Sequence, residues 1–225
     1  MSERVRTVAG RALDLAFPAA CVGCSREGPP ICDRCVGALD ARLETPAGIP
    51  IGLPGDIPPP LVQLEWCAPF HGVVRPALHA LKYGGERRLA EPLGAALARG
   101  WARTGVGGEL VTHVPVHAER ARQRGYDQAK LIARVVARQL GLPFASLLER
   151  RRATIAQFDL DRRHRAANVR DAFGVTMQAR SSVDGRWVLL VDDVVTTGST
   201  LAACAEALEA AGALAVSGIT VARER

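Results

Sequence analysis

The chain has 225 residues, which is enough for one domain of ordinary size and a small additional module. Its apolar content of 48% predicts a packed core, and no apolar run approaches the roughly 18 residues of a membrane-spanning helix. The net charge of +6 is nearly all arginine, since Lys82 and Lys130 are the only lysines. This charge fits an anionic ligand or nucleic acid as well as a general preference for arginine, and does not decide between them.

The first twenty residues mix charged and apolar side chains and lack the continuous apolar core of a signal peptide. The pattern therefore predicts an amphipathic helix and, by default, a cytoplasmic protein without membrane insertion. The apolar face of this helix would contain Val5, Val8, Ala12, Leu15 and Ala16.

Two C-x2-C pairs follow, separated by seven residues. Each pair can place two thiolates on one metal ion, and together they complete a tetrahedral four-cysteine zinc site, which would be closed and structural. Disulfides are disfavoured in a cytosolic chain, and a redox C-x-x-C motif would not need a second copy. The candidate zinc ligands are Cys21, Cys24, Cys32 and Cys35, whereas Cys67 and Cys204 are expected to be ordinary buried thiols.

A segment at 45–60 contains six prolines and three glycines, which predicts a linker. The expected organisation is an N-terminal helix and zinc ribbon or knuckle module at 1–45, a linker at 46–60 and a main domain at 61–225. In the main domain we expect strands at 61–68, 110–114, 144–148, 172–176, 188–191 and 215–222, with helices at 73–82, 87–103, 127–139 and 200–211. This alternation predicts an α/β fold with a parallel-cored sheet, flanking helices and ligands at the carboxyl ends of the strands.

The most specific motif is VLLVDDVVTTGST at 188–200. A buried strand ends in Asp192 and Asp193, whose carboxylates can accept hydrogen bonds from vicinal ribose hydroxyls. A hydroxyl-rich turn then enters a helix, and its hydroxyls and free N–H groups suit a phosphate dianion. The alternative is that these residues merely cap the helix. The turn contains Thr196, Thr197, Gly198, Ser199 and Thr200, and the whole motif resembles the 5-phosphoribosyl-1-pyrophosphate (PRPP) motif of type I phosphoribosyltransferases.

Two basic segments suit a highly anionic ligand. The first follows Pro115 and carries Arg120 and Arg124, with His117, Arg122 and Tyr126 as further candidates; its alternative is a solvated helix start. The second is a long basic loop at 149–171, which is expected to be a lid over a phosphorylated substrate; the alternatives are a disordered loop or a partner-binding patch. Neither segment interleaves aromatic residues with its cations, which argues against autonomous binding of single-stranded nucleic acid.

The chain resembles the competence protein F family, which includes GntX-type proteins and has a type I phosphoribosyltransferase fold. The resemblance covers nearly the whole length and rests on the cysteine pairs, LKYGGERRLA at 81–90, VPVHAERARQRGYDQA at 114–129 and DDVVTTGST at 192–200. Asp127 departs from the asparagine that is usual in the family. In this fold a variable hood, here about 61–108, selects the substrate base.

The resemblance implies two functions. As an enzyme, the protein would bind PRPP with Mg²⁺ and transfer its phosphoribosyl group to a nitrogen nucleophile. Asp192 and Asp193 would hold the ribose, residues 196–200 the 5′-phosphate, and Arg120 and Arg124 the pyrophosphate. As a non-catalytic accessory protein of DNA uptake, it would bind a competence ATPase or single-stranded DNA.

Overall fold

The computed structural model describes residues 20–43, 57–151 and 172–224. The helix predicted near the N-terminus, most of the linker predicted at 46–60 and most of the basic loop predicted at 149–171 lie outside the described residues. Within the described ranges, no helix is both long and apolar enough to cross a bilayer.

A parallel four-stranded sheet lies at the centre of the main domain. The strands of the described residues are β1 (Gln63–Pro69), β2 (Leu110–His113), β3 (Leu148–Arg150), β4 (Phe173–Val175), β5 (Trp187–Val195) and β6 (Ala215–Arg223). The central sheet has the order β1-β6-β5-β2, and every neighbouring pair in it is parallel. The carboxyl ends of all four strands therefore meet at one edge.

Helices cover both faces of this sheet. The described α-helices are α1 (Asp33–Val36), α2 (Val74–Tyr83), α3 (Ala90–Thr104), α4 (Ala118–Arg124), α5 (Gln128–Leu140), α6 (Arg180–Val183) and α7 (Ser199–Glu209). Helices α2, α3 and α5 share one apolar core with the sheet, and α7, α6 and the β3–β4 pair share a second core on the opposite face. Helix α5 begins at the N-cap Asp127, which accepts the Lys130 N–H, and ends at Gly141 in the left-handed conformation.

Three features differ from the sequence expectation. Strands β3 and β4 form a separate antiparallel pair, and the strand expected at 144–148 is reduced to a bridge between Phe144 and Val111 before β3 begins. The segment after Pro115 contains a separate short helix, α4, where a loop or the start of a solvated helix was expected. Strand β5 continues to Val195, because pairing with β6 extends through Asp192 and Val194. Residues 61–108, which the family resemblance assigns to a hood, contain β1, α2 and α3, and the hood itself stays a prediction.

The cysteine module packs directly on the main domain. Ile31 and Leu39 belong to the same apolar core as α2 and α3. Arg99 of α3 donates to both carboxylate oxygens of Asp40, at 2.8 and 3.0 Å. The cysteine module and the main domain therefore share an apolar core.

Candidate functional site

The predicted hydroxyl-rich turn lies at the carboxyl end of β5. This hydroxyl loop (residues 196–200) leads into α7, and its Thr and Ser side chains are exposed. Gly198 has φ +78°, a left-handed conformation that strains other residues. The Thr197 and Ser199 hydroxyls lie 2.8 Å apart. Because the first N–H groups of a helix lack intrahelical acceptors, the loop offers hydroxyls and N–H donors to an anion.

Asp192 and Asp193 lie inside β5, so their side chains project from opposite faces of the sheet. Asp192 lines a small polar pocket together with the hydroxyl loop. Asp193 is buried on the α5 face, where its Oδ2 accepts from Gln128 Nε2 and its Oδ1 pairs with Lys82 Nζ, both at 2.9 Å. The structure therefore does not present the two carboxylates as one cluster.

Burial, reinforced by repulsion from Asp193, raises the pKa of Asp192 well above its usual range. The Asp193 backbone N–H, which donates to Asp192 Oδ1 at 2.8 Å, and the charge of Lys82 oppose that rise. Arg150 belongs to the basic loop at 149–171. Its pKa is lowered mainly by burial and further by the charge of Arg120. A ligand anion at this edge would stabilise the charged form of Arg150 and disfavour that of Asp192.

A second, open cavity of about 560 Å³ is lined in part by Lys82, the partner of Asp193. It is termed here the cationic pocket, and its lining includes Lys82, Tyr83, Arg120, Gln123, Arg124 and Tyr126. The predicted arginines Arg120 and Arg124 both reach this pocket from α4, whereas His117 instead caps α4 by accepting the Glu119 N–H at 3.4 Å. The Tyr126 hydroxyl donates to the Leu81 carbonyl and so ties the loop after α4 to α2.

Hydrogen bonds connect the cationic pocket to β5. Arg124 Nη1 donates to Gln128 Oε1 at 2.9 Å, and Gln128 donates in turn to Asp193. The Arg124 guanidinium also lies 4.9 Å from the ring centroid of Tyr83. Lys82 and Gln128 are the participants that the sequence analysis did not assign to the site. In the sequence, the one indication that these two residues belong to the site is that they lie in the segments 81–90 and 114–129, which carry the family resemblance.

Asp127, the departure from the family pattern, acts as a backbone acceptor. Its two oxygens accept from Lys130 N and Val116 N, each at 3.0 Å, so it joins the end of β2 to the start of α5. His113 Nε2 lies 3.7 Å from Asp127 Oδ2. Burial lowers the pKa of His113 to about 4, although the Asp127 charge opposes this shift. The extra negative charge at 127 is therefore directed at the protein backbone.

The four predicted metal ligands come together. The Sγ atoms of Cys21, Cys24, Cys32 and Cys35 all lie within 4.8 Å of one another. Four thiolates at 2.3 Å from a tetrahedral zinc ion would be about 3.8 Å apart, so the cluster fits such an ion after small adjustments. The cluster could therefore hold one metal ion through four cysteine ligands.

Backbone N–H groups favour the thiolate form of Cys21 in this cluster. Burial alone would raise the pKa of Cys21, but hydrogen bonds from the Cys32, Gly23 and Cys24 backbones outweigh it and lower that pKa to about 6. The Cys32 and Gly23 N–H groups lie 3.3 and 3.4 Å from Cys21 Sγ. Burial and the neighbouring thiols raise the pKa of Cys35 to about 12. A divalent cation would remove this conflict by favouring all four thiolates.

Comparison with known proteins gives one domain match and several close relatives. Residues 128–225 match the family model described as phosphoribosyl transferase domain. The DNA utilization protein YhgH of Escherichia coli K12 is 33% identical over 202 residues, which span 87% of this chain and 85% of that protein. Competence protein F of Haemophilus influenzae is 36% identical over 94 residues, 41% of each chain. The domain match, the parallel sheet and the cysteine cluster confirm the predicted fold class.

Solved structures give more distant likenesses. The glutamine PRPP amidotransferase of B. subtilis, complexed with ADP and GMP, matches 59% of this chain and 26% of its own, with 25% identity and a TM-score of 0.41. The adenine phosphoribosyltransferase of Leishmania tarentolae matches 58% of this chain and 55% of its own, with 18% identity and a TM-score of 0.36.

Proposed function

Because this chain belongs to the family of competence protein F and DNA utilization protein YhgH, we propose that it binds PRPP and transfers the phosphoribosyl group to a nitrogen nucleophile. In this proposal the 5′-phosphate occupies the hydroxyl loop, the ribose lies over Asp192, and the pyrophosphate occupies the cationic pocket. The relatives' names support a role in DNA use, and the domain match supports the ligand class.

The hydroxyl loop is the observation that carries this proposal. Four exposed hydroxyls surround Gly198 at the start of an eleven-residue helix, and the Asp192 carboxyl lines the same pocket. A residue that only caps a helix contributes one side-chain acceptor to the first turn. Gly198 makes no side-chain cap, and the surplus of donors around it suits a doubly charged phosphate.

The chemistry would be substitution at the anomeric carbon: a C1–N bond forms while the C1–O bond to pyrophosphate breaks and the pyrophosphate takes the electron pair. Positioning and charge stabilisation would supply most of the rate enhancement, through Arg120 and Arg124 around the leaving group. Mg²⁺, which prefers oxygen ligands, would arrive with PRPP and neutralise part of its charge. Asp192 is the partly exposed carboxylate next to the proposed ribose position.

Calorimetric titration with PRPP and Mg²⁺ tests binding, and pyrophosphate release across a panel of nucleobases tests transfer. Thr197→Val should weaken PRPP and ribose 5-phosphate by about tenfold or more, since a hydrogen bond to a charged group contributes roughly 1.5–3 kcal/mol. Ser199→Ala should act in the same direction. The control is Ser181→Ala, which removes an exposed hydroxyl from α6, away from the loop. Wild-type protein that binds neither ligand would refute the proposal.

We also propose that the cysteine cluster holds one structural Zn²⁺. The four-thiolate donor set, the sulfur separations and the N–H groups directed at Cys21 support zinc. Zinc would supply only cross-linking here. It would hold α1 and the turn at Gly23 against the start of α2.

A second candidate function, binding of single-stranded DNA without turnover, is favoured by a groove along the same edge of the sheet. Lys82 and Tyr83 line both the cationic pocket and a neighbouring cavity, and Phe70 and Arg75 connect that cavity to a third one. The three cavities are therefore lined by both cations and rings, the residue types that attract a phosphate backbone and stack bases. The further groove residues are His79, Trp66, His71 and Arg223. In this role the basic loop would contact a partner ATPase.

Fluorescence anisotropy with a labelled oligothymidine tests this candidate. Tyr83→Ala and Phe70→Ala should each weaken binding about tenfold, since stacking of one base contributes roughly 1–3 kcal/mol. Met177→Ala, which removes an exposed apolar side chain outside the groove, should leave it unchanged. Unaltered affinity in both aromatic variants would remove the groove from consideration.

A further inference from the structure

The direction of the two aspartates gives them different surroundings. Consecutive residues of a strand point to opposite faces, and β5 remains paired with β6 beyond both aspartates. Asp192 faces the hydroxyl loop at the start of α7, whereas Asp193 faces α5 and α2. A ribose that lies against the hydroxyl loop would therefore meet Asp192.

Asp193 already has a partner on each oxygen. Lys82 Nζ lies 2.9 Å from Oδ1, and Gln128 Nε2 donates to Oδ2 at 2.9 Å, while the Asp193 side chain is only 8% exposed. A carboxylate buried in this way needs those donors, because an unpaired buried charge is costly. Each oxygen could accept a second hydrogen bond, but the Asp193 carboxylate faces α5 and α2, on the side of β5 opposite the hydroxyl loop.

Both donors lead to the cationic pocket. Lys82 lines the pocket and keeps 22% of its side chain exposed. Its ammonium has three N–H donors, so the pairing with Asp193 leaves others for a ligand. Gln128 uses its amide oxygen to accept from Arg124 Nη1, and Arg124 lines the same pocket. Asp193 thus determines the positions of one cation directly and of a second through Gln128.

We propose that Lys82 is a pyrophosphate-binding residue and that Asp193 is a positioning residue that orients Lys82 and, through Gln128, Arg124. This inference rests on the proposed function and divides its acidic pair: Asp192 serves the ribose and Asp193 serves the pyrophosphate. The physical gain is preorganisation. A long lysine side chain held by a buried carboxylate loses less conformational entropy when the anion binds.

The test measures the binding of the pyrophosphate part and of the ribose 5-phosphate part of PRPP separately. Inorganic pyrophosphate with Mg²⁺, ribose 5-phosphate, and PRPP with Mg²⁺ are titrated by calorimetry into the full-length wild type and its variants. Lys82→Met and Asp193→Asn should each weaken pyrophosphate by about tenfold or more, because each disturbs a charge-assisted contact. Both should leave ribose 5-phosphate within about twofold. Lys130→Met, which removes the only other lysine, is the control and should change neither ligand.

The double variant tests whether Asp193 acts through Lys82. Because removal of Lys82 takes away one of the two cations that Asp193 orients, the combined loss of pyrophosphate affinity should be smaller than the product of the two single losses. Asp192→Asn should show the opposite preference and weaken ribose 5-phosphate more than pyrophosphate. Thermal melting checks that each variant is folded; if Asp193→Asn is not, the Lys82→Met titrations decide.

Three results would overturn the inference. Equal weakening of pyrophosphate and ribose 5-phosphate by Asp193→Asn would make Asp193 a ribose ligand. Unchanged or stronger pyrophosphate binding in Asp193→Asn or Lys82→Met would mean that the ion pair holds Lys82 away from the anion. A wild type that binds ribose 5-phosphate but not pyrophosphate would refute this inference alone, whereas one that binds neither these ligands nor PRPP would refute the proposed function as well.

Discussion

Gly23 of the cysteine module lies directly against Val73 at the start of α2. A Cβ atom on Gly23 would be 2.7 Å from Val73 Cγ2 and 2.9 Å from Cys35 Sγ, both below normal contact distance. The turn between the first two cysteines is therefore shaped by the neighbouring helix as well as by the cysteine cluster.

Gly23→Ala should destabilise the protein by about 1–3 kcal/mol, the usual cost of overpacking, and should weaken metal retention because Cys35 is displaced. Urea unfolding and metal content measure the two effects. Gly37→Ala is the matched control in the same module, since nothing lies within 4 Å of its added Cβ and its φ is −57°. Gly37→Ala should be neutral or slightly stabilising. Equal effects of the two substitutions would contradict the packing interpretation.

Cys24→Ser should abolish the binding of about one zinc per chain and lower the melting temperature of the whole protein. The second effect is expected because Ile31 and Leu39 belong to the core of the main domain, and Asp40 is paired with Arg99. Elemental analysis under reducing conditions and calorimetric melting check these results. Cys204→Ala, which changes a buried thiol outside the cluster, should keep its zinc. A metal-free wild type would contradict the prediction.

Asp192→Asn should stabilise the ligand-free protein at neutral pH. The folded-state pKa of Asp192 lies above its unfolded value, so the folded state binds this proton more tightly. The associated stability is fully present below the unfolded pKa and is lost as pH rises through the folded pKa. The stability of the variant relative to the wild type should therefore increase as pH rises from about 4. Thermal melts across pH measure this difference. The control is Asp184→Asn, at an exposed position away from the loop, whose melting temperature should have the same pH dependence as that of the wild type.

His113 should make the protein less stable as pH falls below about 6.5, the unfolded value for histidine. Its folded pKa is lowered to about 4, so the unfolded chain takes up the proton first. Between pH 7.5 and 5 this linkage amounts to about 2 kcal/mol of unfolding free energy. His113→Leu should lack this component of the pH dependence in urea unfolding. The charges near His113 are Asp127, Lys130 and Arg134. If the free energy of unfolding changes equally with pH in wild type and variant, these charges cancel the effect of burial on the His113 pKa.

Features that depend on neighbouring residues in the chain could be predicted from the sequence. The cysteine spacing predicts the cluster, because two short turns that are close in the sequence can bring four thiols together. The hydroxyl loop follows directly after an apolar strand, so its position at the start of α7 was readable from 188–200. The helices α2, α3 and α5 have the expected periodicity and lie within two or three residues of the predicted bounds.

The sequence by itself thus determined the fold class, the cysteine cluster and the hydroxyl loop, whereas the tertiary structure decided how the charges are distributed around them. The length of β5 depends on its pairing with β6, and that pairing places Asp192 and Asp193 on opposite faces of the sheet. Lys82 and Tyr83 come from α2, and Arg124 comes from α4, so the cationic pocket forms only when these helices pack at one edge. Cations and rings from α2 and from the segment that contains α4 meet there, because the packing of distant segments brings them together.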